Sequence, residues 1–99
     1  MPPDVVAALV KRGEQFVALG DLGAARLLFQ RAAEAGNPRA ALAMARTYDP
    51  EYLAVGVAQG EKPDPARAME WYHKAEALGN AQAAALLKSL GRQPAGTAH

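Results

Sequence analysis

Sliding the 99-residue chain along itself by 43 positions brings Asp21 onto Asp64, Ala25 onto Ala68, Phe29 onto Tyr72 and Ala32 onto Ala75. The same shift places Gly36 on Gly79, Asn37 on Asn80, and Ala40 and Ala41 on Ala83 and Ala84. One ungapped register aligns capping side chains, apolar positions and turn glycines together, so the chain repeats a structural unit. Within the unit, Ala25, Leu28, Phe29 and Ala32, and again Ala68, Trp71, Tyr72 and Ala75, follow the i, i+3, i+4, i+7 spacing of a buried helix stripe. The unit is helical.

Punctuation divides the chain into helices. Asn37-Pro38, Asp49-Pro50 and Asp64-Pro65 each join a capping side chain to a residue preset for the first helical turn. Gly20, Gly36, Gly79 and Gly91 each follow an alanine- or leucine-rich stretch, where a left-handed residue ends a helix. The segments run from Asp4 to Leu19, Asp21 to Ala35, Asn37 to Tyr48, Asp64 to Leu78 and Asn80 to Leu90, with a short turn at Pro50 to Ala54. Five helices and no strand make an all-α fold. The 24 alanines among 99 residues then have a use, because small side chains at the stripe ends let helix axes approach closely. The expected architecture is a stack of two helical hairpins closed by a C-terminal capping helix.

The residues resemble a known family. Gly13, Phe16, Gly20, Ala25, Phe29 and Ala32 have the spacing of a tetratricopeptide repeat, and the later half looks more like its bacterial relative, the Sel-one-like repeat. That pattern is carried by Gly36-Asn37 with Ala40, by Met44-Ala45 and Tyr48, by Asp64, Ala68, Trp71, Tyr72, Lys74 and Ala75, and by Gly79-Asn80 with Ala83. The resemblance spans residues 5–90 and implies a right-handed α-α superhelix. Repeat one would cover about 5–36, repeat two about 37–79 with an insertion at 49–63, and the capping helix 80–91, leaving 92–99 as a tail. The insertion is a departure from the family pattern. Its start, Asp49 to Val55, carries apolar side chains where a plain linker would be polar, so it is expected to fold back on the repeats.

Composition narrows the function. Eleven Lys and Arg against ten Asp and Glu give a net charge of +1, and no segment departs from neutrality by more than two charges. That leaves no basic field for nucleic acid. The longest apolar run, Val5 to Val10, is far short of the ~20 residues of a membrane span. Cysteine is absent, which fits a reducing cytosol and a periplasm equally and leaves the compartment open.

Chemistry-bearing motifs are sparse. Ser89 lacks a nucleophile elbow, and Glu70 with His73 is half of a di-metal signature whose second half does not occur. Asp49, Glu51 and Asp64 lack calcium-loop spacing, and capping accounts for both aspartates. Gly56 to Lys62 has no preceding strand and no Gly-Lys-Ser/Thr ending, so it does not read as a phosphate loop. Trp71 and Tyr72 would make a base-stacking pair only if both were exposed, and the stripe places Tyr72 inside. The chain is expected to be no enzyme and to need no cofactor or metal.

The resemblance implies instead a groove on the inner, A-helix face, formed one step off the core stripe by Val10, Glu14 and Val17, then Arg39, Leu42 and Arg46, then Gln82, Ala85 and Ser89. An apolar floor with Arg39 and Arg46 at its centre suits a protein segment carrying carboxylates. The expected function is thus a non-catalytic protein-interaction or scaffold module. The alternative is a structural or assembly domain of a larger protein that acts by self-association into a homo-oligomer, its groove empty.

Overall fold

The computed structural model of the chain describes residues 1–54 and 62–92. Among them run six helices and no strand: α1 (Pro3–Ala18), α2 (Leu22–Glu34), α3 (Pro38–Arg46), α4 (Pro50–Leu53), α5 (Pro65–Ala77) and α6 (Ala83–Gly91). The short turn expected after Asp49 is the one-turn helix α4, and α2 and α5 coincide end for end under the 43-residue shift. None of the described helices is long and apolar enough to cross a membrane.

Capping chemistry sets these boundaries. The side chains of Asp21, Asn37 and Asp64 accept the N–H three residues on, from Ala24, Ala40 and Arg67. Asp49 caps α4 by accepting from Glu51 N–H at 2.9 Å. Gly20, Gly36 and Gly79 have φ of 81°, 94° and 103°, the left-handed region that a side chain would strain. Each closes the same double-bonded turn. Their N–H groups donate to Val17, Ala33 and Glu76, while the next residues, Asp21, Asn37 and Asn80, donate to Phe16, Ala32 and Ala75, all at 2.9 to 3.1 Å. The residue that ends one helix's last turn therefore hands directly to the cap of the next.

Two boundaries differ from expectation. Gly91 does not terminate a helix in left-handed form; it is the last helical residue of α6 and has no positive φ. The other three glycines each precede an Asp or Asn whose side chain bonds a backbone N–H two or three residues on, whereas Gly91 precedes Arg92. The start of α6 also slips inward, since Asn80 bonds Gln82 N–H, two residues on, and the helix begins only at Ala83. Its counterpart Asn37 is followed by Pro38, whose fixed φ enforces the first helical turn; Asn80 is followed by Ala81.

Helices pack on their neighbours in sequence: α1 on α2, α2 on α3, α3 on α5 and α5 on α6. The body measures 46 × 28 × 15 Å. One continuous core runs through it, from Val6 and Val10 through Phe29, Ala32, Ala41 and Met44 to Tyr72, Ala75 and Leu90. Ala25, Phe29 and Ala32 are buried with Leu28 half-buried, and Ala68, Tyr72 and Ala75 are buried with Trp71 half-buried, so both stripes meet the core in the same way. Tyr72 is fully buried and offers no face for a base to stack on. A Cβ on Gly13 would lie 2.5 Å from the Phe29 ring, so only glycine there lets that ring reach its place. Ala84 departs from the repeat: its counterpart Ala41 is fully buried, but Ala84 is exposed, because α5 covers α3 and no described helix follows α6.

The insertion is closed at its base, where Asp64 N–H donates to the Tyr48 carbonyl at 2.8 Å. Its first part folds back as expected, since Glu51 meets α6 through Ser89 and the Tyr52 ring meets α3 through Arg46. The remainder of the insertion, with most of the Gly56 to Lys62 stretch, lies outside the described residues, as does the tail beyond Arg92 with His99.

Candidate functional site

The expected groove residues come from three separate helices, and five of them meet. Glu14 of α1, Arg39, Leu42 and Arg46 of α3, and Gln82 before α6 line one cleft of about 410 Å³, together with Ala43 and Asn80. Val17 lines the next hollow along the same face, sharing Glu14 and Arg46 with the first, and Val10 lines a third with Glu14 and Arg39. Ser89 lies beyond, half-buried, its hydroxyl donating to Glu51 at 2.9 Å. Ala85 is exposed and lines none of these hollows.

Three expectations need correction. Val10 and Leu42, expected as surface one step off the core, are each only 3% exposed and belong to the core. The reason is that α3 is covered by α2 on one side and α5 on the other, so that Ala40, Ala41, Leu42, Met44 and Ala45 are all buried and little of its surface lies off-stripe. Both side chains still show an edge to the clefts. Arg39 is not available as an unpaired cation at the centre, because its Nη2 donates to Glu14 at 2.7 Å across α1 and α3. The third is Ser89, whose hydroxyl is committed to the insertion.

Arg46 is placed differently. It lines three adjoining clefts, among them one formed with Tyr52, Tyr72 and Leu86. Its guanidinium carbon lies 5.8 Å from the centre of the Tyr52 ring, a cation–π contact, and it makes no ion pair with any described residue. Tyr52, Ala43 and Asn80 are among the site residues that sequence reasoning missed. Tyr52 belongs to the insertion and so has no register partner; the one available signal was the Asp49-Pro50 start, which promises a helical turn able to carry an aromatic side chain back towards α3.

Behind this face lies a polar scaffold. Asp49, 3% exposed, accepts from the buried Tyr72 hydroxyl at 2.6 Å while capping α4. Burial first, then the hydrogen bond to Asp49 and its charge, push the Tyr72 hydroxyl far above the ordinary tyrosine range, so it stays protonated. Arg26 reaches across from α2, its Nε donating to Thr47 Oγ1 at 2.9 Å and its Nη2 to the Thr47 carbonyl at 2.6 Å. The guanidinium lies 4.1 Å from the centre of the Tyr48 ring, with Arg67 at 5.7 Å from the same ring. These contacts fix the end of α3 and the mouth of the insertion, so the Arg46 backbone and Tyr52 rest on a braced segment.

Among the described residues no three His, Asp or Glu side chains gather to hold a metal ion, and His73 is paired only loosely, 3.9 Å from Glu76 on an exposed helix face. The face combines hollows of mixed polar and apolar lining, in place of the expected apolar floor, with the Arg39–Glu14 pair and a cation at Arg46. Compared with known proteins, the chain matches no family model, no curated protein and no solved structure.

Proposed function

We propose that the chain is a helical-repeat module of the tetratricopeptide and Sel-one-like kind, a right-handed superhelix whose α1, α3 and α6 face holds a segment of a partner protein without catalysing a reaction. The observation that carries this reading is the convergence of Glu14, Arg39, Leu42, Arg46 and Gln82, spread over nearly 70 residues of sequence, on one cleft. The three identical glycine turns and the matching limits of α2 and α5 support the repeat. A cleft formed by packed helices needs less ordering on binding than a loop, which lowers the cost of capturing an extended segment.

The test is selection of a displayed random-peptide library against the chain, repeated on a variant with Arg39→Glu and Arg46→Glu whose helicity is checked by circular dichroism. Peptides enriched on the natural chain and lost on the variant are expected. Enrichment that is absent, or equal on both proteins, would remove the groove reading.

A second reading, assembly through the end of the stack, draws on one observation. Ala84 and Ala85 of α6 are exposed where their counterparts Ala41 and Leu42 are covered by α5. Sedimentation equilibrium decides it: a dimer disrupted by Ala84→Glu would favour assembly, and a monomer at all concentrations would discard it.

A further inference from the structure

The hollow where Phe29 of α2 meets α1, α3 and α4 is small and partly open to the surface. Its volume is about 120 Å³, and Val17, Phe29, Ala43 and the Tyr52 ring form its sides, with Arg46 on its rim. An apolar cavity of ~150 Å³ accommodates benzene, so this one has room for a side chain of leucine or isoleucine size. The other polar side chains at its edge are engaged: Glu14 with Arg39, and Thr47 with Arg26 and the Met44 carbonyl. Among the charged groups that line it, Arg46 alone makes no ion pair with a described residue, although Asp49 and Glu51 line the adjoining cleft with it.

We infer that this hollow is the specificity pocket of the groove, and that the partner segment presents a leucine- or isoleucine-sized side chain to it with a carboxylate one or two residues away for Arg46. The inference rests on the groove reading and deepens it. Charge complementarity selects the acid, because the Arg46 guanidinium, 5.8 Å from the centre of the Tyr52 ring, has an N–H fork that matches a planar carboxylate. Reach sets the spacing: an acid two positions along an extended backbone, about 6.6 Å away, faces the same side as the leucine, and one at the next position meets Arg46 where the backbone turns locally. The insertion supplies the wall at Tyr52, and its tether through Asp49 to Tyr72 keeps that wall in place.

The experiment is a titration of the isotope-labelled full chain, followed by amide NMR, with the blocked peptide acetyl-Ser-Gly-Leu-Asp-Gly-Ser-amide. Saturable shifts at Val17, Ala43 and Thr47 are expected. Replacing the peptide's Asp by Asn, or Arg46 by Gln, should each weaken binding about three- to fivefold, with no further loss when the two are combined. Ala43→Leu, which fills the hollow, should abolish the response to leucine while leaving the helices intact. Unchanged binding to Ala43→Leu, or equal binding of the Asn peptide, would overturn the pocket. So would tighter saturation by free 4-methylpentanoate than by the peptide, which would make the hollow a small-acid site. If library peptides depend on Arg39 and Gln82 but ignore Ala43→Leu, the pocket fails and the groove stands; if neither library nor Leu-Asp peptide perturbs this face, both fail.

Discussion

The α2–α3 and α5–α6 hairpins are built on one register and end differently. In the first, Phe29 places an apolar ring against Gly13, Pro38 starts α3, and α3 is covered on both sides. In the second, Tyr72 adds a hydroxyl that reaches Asp49, Ala81 leaves the first turn of α6 loose, and α6 packs on α5 with Ala84 exposed. The shared part is the helix-turn-helix frame. The differing part is what each copy does with its surface: in the first α3 is covered on both sides, and in the second Tyr72 and Ser89 hold the start of the insertion through Asp49 and Glu51.

The hardest test of the common frame is to remove both rings in turn. Phe29→Ala and Tyr72→Ala should each cost about 3–5 kcal/mol, comparable with the whole stability of a chain this size, roughly 5–15 kcal/mol. Urea unfolding followed by circular dichroism should show both variants largely unfolded or melting at much lower urea. Loss confined to half of the helical signal in either variant would mean that the two hairpins fold as separate units instead of through one core.

Tyr72→Phe separates the hairpins. It keeps the ring and deletes the donor to a buried carboxylate, so it should cost about 1.5–3 kcal/mol, while no equivalent bond exists at Phe29 to lose. The same hydroxyl gives a pH signature. Its proton is held in the folded state far above the ordinary value of about 10, so above that pH the unfolded chain releases a proton that the native chain keeps. The contribution is complete below pH 10 and is lost as pH rises beyond it, by up to about 1.4 kcal/mol per unit. Stability of the natural chain should therefore fall more steeply between pH 10 and 11 than that of Tyr72→Phe; parallel curves would show that the hydroxyl is not shielded.

Coverage is the next contrast. Ala41→Leu forces three extra carbons into a filled space between helices and should cost about 1–3 kcal/mol. Ala84→Leu, at the same register position on open surface, should stay within about 0.5 kcal/mol. Equal costs would mean that something covers α6 in solution, which would move the balance towards assembly.

These contrasts mark where the sequence was legible. Caps, glycine turns and stripes are local, and they set α2 and α5 to within a residue. The burial of Val10 and Leu42 was not legible, because it depends on α3 lying between two helices and a single-helix pattern contains no record of its second neighbour. Gly91 was misread for a related reason: each left-handed glycine is followed by an Asp or Asn whose side chain bonds a backbone N–H two or three residues on, whereas Gly91 is followed by Arg92. The Arg39–Glu14 pair joins residues 25 apart on different helices, and Tyr52 sits in the insertion, so neither falls on any period. Local pattern thus accounts for the helices, while the pairings between them and the placement of Tyr52 arose from tertiary packing.

The smallest effect concerns the one turn in which the two hairpins diverge locally. Asn37 and Asn80 follow identical glycine turns, yet Asn37 bonds the third residue on and Asn80 the second. If Pro38 is the cause, Ala81→Pro should convert the second turn into the first: Asn80 would accept from Ala83, and α6 would begin two residues earlier. The Ala81 N–H donates no hydrogen bond to a described residue, so proline removes nothing there and mainly reduces the freedom of the unfolded chain. The expected gain is about 0.4–1 kcal/mol in urea unfolding, with added hydrogen-exchange protection at Ala83 and Ala84. Gln82 would then be held on a regular helical turn at the edge of the cleft it lines, so library peptides that depend on Gln82 should bind the variant no more weakly. A loss of stability would show that Ala81 lies outside the φ that proline allows, and that the loose start of α6 is set by its packing on α5 instead of by the missing ring.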